Sequence, residues 1–159
     1  MKRWYQTDFD DIIRRDGCLV FSIIDGLYEG LEKMDKFPRD MSKDELRELF
    51  LHAHRRGYMQ KNSKDSSFGM YVMNHEGFAN EVLSWLLEPE IRCSYIGAHY
   101  MPEEDRENWG QGKGNDFLLL QVTTKNGGGH FRRPCYDPWE PSPGIDRIRS
   151  VRYYKLREE

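Results

Sequence analysis

The spacing of apolar residues changes once along this chain, and that change limits its fold more than any single motif does. Up to about residue 87 the apolar positions recur at helical intervals; beyond it they alternate or run continuously, and "DFLLLQVTT" (116–124) is the clearest buried strand. Helices come first and antiparallel strands last. That segregation reads as α+β, with N-terminal helices packed on a C-terminal antiparallel β-sheet in one domain spanning 1–159.

The strongest helix covers 17–31, where Leu19, Val20, Ile23, Ile24, Leu27 and Leu31 form a wide apolar stripe. Ser42-Lys43-Asp44-Glu45 is a capping-box pattern and should open a second helix running to about Arg56, stopped by Gly57. A third helix is expected over about 76–87, ending before Pro89. Strands are expected at 92–100, 116–124 and 145–156, with an extended segment at 130–139 interrupted by Pro134. Residues 1–9 read as extended and anchored by Trp4, Tyr5 and Phe9, 60–69 as a polar loop, and "KNGGG" (125–129) as a turn. The charged, glycine-bearing stretch 101–115 reads as a flexible loop beside any site; its "GQGKGN" lacks the Gly-Lys-Ser/Thr ending of a phosphate loop.

Charge and composition narrow the function classes. Net charge is −3 with both signs mixed, which gives no pull toward nucleic acid or an anionic membrane. The pairs Arg14-Arg15, Arg55-Arg56 and Arg132-Arg133 read as solvated faces or local ion pairs. The three cysteines form no CxxC, so neither a zinc knuckle nor a disulfide scaffold is expected, and Cys135 reads as core or strand. His52 and His54 diverge on a helix, and His75 and His99 lack partners at ligand spacing, so no metal is expected, and no cofactor either. The opening "MKRWYQTDFDD" is not a signal peptide and no run spans a bilayer, from which a cytoplasmic protein with reduced thiols is expected.

Four residues carry the chemical question. Cys18 stands at the mouth of the first long helix, where exposed N–H groups and the dipole stabilise a thiolate. Buried, inert packing is the ordinary fate of a lone cysteine. His130 opens a strand after three glycines and can serve as base to a thiol; the bland reading is a surface-loop histidine. Asp137, held extended before Pro138, can orient that imidazole or simply make a turn. Gln6, upstream of the cysteine, can donate to an oxyanion beside the backbone N–H of Cys18.

The order Gln6 … Gly17-Cys18 … Gly-Gly-His130-Phe131 … Tyr136-Asp137-Pro138-Trp139 resembles the papain-like cysteine peptidase superfamily, above all its compact bacterial and phage branch related to peptidases that process double-glycine leaders. The resemblance spans most of the chain. It implies a papain-like fold with Cys18 as nucleophile, His130 as base, Asp137 as its orienter and Gln6 as oxyanion donor. It also implies a thiol hydrolase of phage or prophage origin. Its partner would be a peptide or protein substrate, a host protein or a peptidoglycan cross-bridge. Two other readings stand beside this one. One is a non-catalytic binding or inhibitor module on the same scaffold, using the basic pairs and exposed aromatics around 136–139 and 153–154. The other is a plain α+β protein in which Cys18 is core.

Overall fold

The computed structural model describes residues 3–60, 70–100 and 116–159. A short 3-10 turn, Gln6–Asp8, leads into α1 (Asp11–Asp16), α2 (Cys18–Lys33) and α3 (Lys43–Arg55). The two-residue strands β1 (Met59–Gln60) and β2 (Tyr71–Val72) precede α4 (His75–Trp85). The chain then continues through β3 (Ile91–Tyr100), β4 (Phe117–Thr124), β5 (Gly129–Arg132) and β6 (Ile145–Glu158). The last four strands form one antiparallel sheet in the order β3-β6-β4-β5, and β1 pairs with β2 in a separate ribbon. The architecture is mixed α+β, with the helices before the main sheet in the chain.

The wide apolar stripe of α2 is the reason for this arrangement. Nearly every side chain from Leu19 to Leu31 is buried, so the helix must be covered on all sides. It rests on β4 and β5 and also touches α4. Two glycines one turn apart set how closely it lies on the sheet. A Cβ on Gly26 would meet the Phe117 ring at 2.2 Å, and one on Gly30 would meet Leu156 Cδ1 at 2.5 Å. Phe117 in turn stacks on Tyr154, centroids 4.8 Å apart. The opposite face of the sheet carries its own apolar cluster of Leu120, Val122, Val151 and Tyr153.

The helix ends follow local rules. Ser42 Oγ accepts from the Glu45 N–H, and Glu45 Oε1 accepts from the Ser42 N–H, which is the expected capping box. Asn74 caps α4 by accepting from the Gly77 N–H. No helix among the described residues is long and apolar enough to cross a membrane.

Several expectations are corrected. The helical chain begins at Asp11 rather than Gly17, because α1, only six residues long, is too short to display a periodic stripe. Residues 6–8 form a 3-10 turn instead of extended chain. Tyr136, Tyr153 and Tyr154 are buried, so they offer no exposed aromatic surface, whereas Cys135 is exposed. Arg133 is not on a solvated face. It is buried, pairs with Asp25 at 3.0 Å and with Glu29, and so ties the segment after β5 to α2. Gln60, read as the start of a polar loop at 60–69, ends β1, and the rest of that loop and the loop read at 101–115 lie outside the described residues.

Candidate active site

Cys18 is the first residue of α2 and is half-buried. The chain reaches it through a turn that admits no side chain. A Cβ on Gly17 would sit 2.4 Å from the Ile13 carbonyl oxygen and 3.2 Å from the Phe21 ring. Gly17 therefore lets α1 close and α2 begin at once, leaving the sulfur at the positive end of a 16-residue helix.

His130 is carried by β5, the edge strand of the sheet, opposite Val122 of β4. Only "FRRPCY" separates it from Asp137. That segment folds back on itself: Arg133 and Tyr136 form an isolated bridge, and the Arg133 N–H donates to the Tyr136 carbonyl at 2.8 Å. The reversal returns Asp137 to His130, with Nε2 and Oδ1 2.6 Å apart. Cys18 lines the same cleft as this imidazole, and its side chain helps to raise the ring's pKa. Because Nε2 is engaged by the carboxylate, Nδ1 is the nitrogen left for the sulfur. Cys18, distant in the chain, thus shares a cleft with His130, which is bonded to its near neighbour Asp137.

Each partner is itself held. Asp137 is buried, and its Oδ1 also accepts from the Trp139 N–H at 2.9 Å. Its Oδ2 accepts from Ser142 Oγ at 2.6 Å and from Arg132 at 3.4 Å. Burial alone would push the Asp137 carboxyl up, but the bonds from His130, Ser142 and the Trp139 N–H outweigh it and hold the group below its ordinary range. At His130 burial works to lower the value. Bonds to Asp137 and Cys18, together with their charges, win and push it up to about 9. At neutral pH this imidazole is a cation between a carboxylate and a sulfur.

The relay opens into a cleft of about 360 Å³. Cys18, Leu19, Met70 and Val72 supply much of its apolar wall, and Gln121, His130, Phe131 and Arg152 line the sheet side. His75 lies on the rim with Nδ1 2.7 Å from the Tyr154 hydroxyl, its ring stacked on Tyr95. Burial, reinforced by the Arg152 charge, lowers it to about 4, so it is neutral at physiological pH. Among the described residues no group of three or more His, Cys, Asp or Glu is arranged to hold a metal ion.

Gln6 is placed differently from the other three. It is 1% exposed and does not line the cleft. Its Nε2 donates to the Arg14 carbonyl at 2.8 Å, and its backbone N–H donates to the Pro138 carbonyl at 2.8 Å. It braces α1 against the segment that carries Asp137, and its Oε1 has no hydrogen-bond partner. One of its two amide hydrogens is thereby committed to the last turn of α1.

No family model matches this chain, and no curated protein or solved structure matches it either. The site must be judged on its own geometry.

Sequence reasoning missed Ser142, His75, Gln121 and Arg152. Ser142 follows the Asp-Pro turn and had no signal of its own. Gln121 and Arg152 sit at inward positions of strands among apolar neighbours, a buried-polar signal visible in "LLLQV" and "SVRYY" once the strands are assigned.

Proposed function

We propose that this protein is a thiol hydrolase of papain-like fold, a cysteine peptidase that cleaves a peptide or isopeptide bond. The observation that carries the reading is the placement of His130 between Asp137, at 2.6 Å, and Cys18 at the mouth of an open cleft. The Cys18 thiolate attacks the carbonyl carbon. Negative charge moves onto the carbonyl oxygen, where the Cys18 N–H is the proposed donor; Gln6, buried outside the cleft with its amide on the Arg14 carbonyl, acts as a brace. Collapse expels the amine, which takes its proton from His130. His130, now neutral, deprotonates water, and the resulting hydroxide resolves the thioester to acid and free thiolate. Asp137 keeps the ring oriented and stabilises the imidazolium throughout. The proposed substrate is a host protein, a phage protein or a peptidoglycan cross-bridge, and the proposed origin is a phage or prophage.

The test is alkylation followed by cleavage. Iodoacetamide should modify Cys18 at pH 6, faster than the exposed Cys135 in the same molecule, and His130→Ala should abolish that advantage. A proteome-derived peptide library should then yield new N-termini with the wild type and none with Cys18→Ala. Equal alkylation of both thiols, with no new N-termini, overturns the proposal and leaves a binding module on this scaffold.

A further inference from the structure

Among the described residues no carboxylate neutralises Arg152. It projects from β6 into the cleft shared by Cys18 and His130. Its Nε donates to Ser150 Oγ at 3.1 Å, one Nη to the Tyr95 hydroxyl at 3.3 Å, and the other to Gln121 Oε1 at 3.2 Å and the Tyr100 hydroxyl at 3.5 Å. Every one of these acceptors is neutral. The guanidinium also lies 5.5 Å from the Tyr100 ring centroid and 5.6 Å from that of Phe131, the residue next to His130.

The other charged residues lining the cleft are accounted for. Arg15 pairs with Asp16 at 2.8 Å, His130 pairs with Asp137, and His75 is neutral. Among the described residues Arg152 has no carboxylate partner. A guanidinium partly removed from water is costly without an anion, and holding it by long bonds to two tyrosine hydroxyls leaves much of that cost standing. The geometry is also that of a ready receptor. Ser150, Gln121 and the flanking rings fix the guanidinium plane, and both tyrosine hydroxyls keep a proton to give an incoming oxygen.

We propose that Arg152 binds a carboxylate of the substrate, making this cleft selective for an acidic peptide segment near the bond to be cut. The anion is the side chain of an aspartate or glutamate or a free C-terminal carboxylate. Gln121 and Ser150 position the guanidinium and do not themselves bind substrate. The inference rests on the thiol-hydrolase reading, since it assumes that Cys18 is the group to which the substrate is delivered.

Matched alkylating probes separate the two claims. Iodoacetyl-glutamate amide and iodoacetyl-glutamine amide differ only in a side-chain carboxylate, and iodoacetyl-glycine and its amide differ only in the terminal one. In the wild type the acidic member of at least one pair should modify Cys18 about tenfold faster, since a charge-assisted pair contributes about that factor. With each rate taken relative to that of plain iodoacetamide on the same protein, the preference should shrink with added salt and vanish in Arg152→Gln. Arg152→Lys should retain part of it. The pair that shows the preference identifies the source of the carboxylate. Equal rates within both pairs in the wild type overturn the inference, and this needs no variant to fold. A preference that survives Arg152→Gln in a folded protein does so too. Loss of the Cys18 response to plain iodoacetamide would strike the thiol-hydrolase reading instead.

Discussion

Replacing Asp137 with Asn removes a charge and leaves the shape of the site almost intact. The Asn Oδ1 can still accept from His130 Nε2 and from the Trp139 N–H, and Ser142 can turn its hydroxyl to accept from the new amide. What disappears is the carboxylate that, with Cys18, raises His130 from 6.5 to about 9 against its own burial. Without that charge the contributions of Cys18 are left to oppose the burial of the ring, and His130 should fall from about 9 toward 6.5, which is the limit if Asp137 carries the whole rise. The difference corresponds to roughly 3 kcal/mol of preference for the imidazolium. At that limit the protonated fraction of His130 at pH 7.5 would fall from nearly all to about one tenth. Two measurements read this directly: the histidine ring signals followed by NMR across pH, and the rate of Cys18 alkylation at pH 7.5. His75, lowered to about 4 on the opposite rim, is an internal control that should not move. If His130 still titrates near 9 in the variant, Asp137 is not the source of its basicity and the relay reasoning fails.

Three further outcomes follow from the same geometry. Arg133→Ala removes the buried partner of Asp25 and one of two partners of Glu29, while Arg3 and Lys33 remain, and should cost about 1–3 kcal/mol in urea unfolding; a loss below about 1 kcal/mol contradicts the ion-pair account. Gly26→Ala drives a Cβ into the Phe117 ring at 2.2 Å and should destabilise by about 1–3 kcal/mol with a lowered melting temperature, whereas an unchanged melting curve would mean that α2 does not lie this close to β4. The value of His130 is raised, so its stabilising share is complete below about 6.5 and lost as pH rises through about 9. That of Asp137 is lowered, so its share is complete above the ordinary 3.8 and lost as pH falls below it. Melting curves from pH 3 to 10 should therefore separate wild type from Asp137→Asn most widely between about 4 and 6.5.

How much of this was readable from the chain depends on how far each feature reaches. The capping box at Ser42–Glu45, the stripe of α2 and the apolar run of β4 are local patterns, and the structure bears them out within a residue or two. The six-residue α1 was not readable, since less than two turns cannot display a period. Tyr153 and Tyr154 were misjudged for a related reason. Their strand lies in the middle of the sheet and both faces are covered, so alternation along it no longer separates inside from outside.

The candidate site divides along the same line. That a thiol stands at a helix mouth is a local outcome of Gly17 and the apolar run after Cys18, and that a histidine opens a strand follows from the glycines before it. That these two line one cleft is a tertiary outcome, because it depends on how α2 lies across β4 and β5. The reversal at Arg133–Tyr136 returned Asp137 to the ring, and the register of β6 against β4 set Arg152 beside Gln121 in the same cleft. Backbone propensity acts over a few neighbours, whereas charge and proton transfer act through space, and residues 112 positions apart in the chain (130 − 18) meet only once the sheet has closed on the helix.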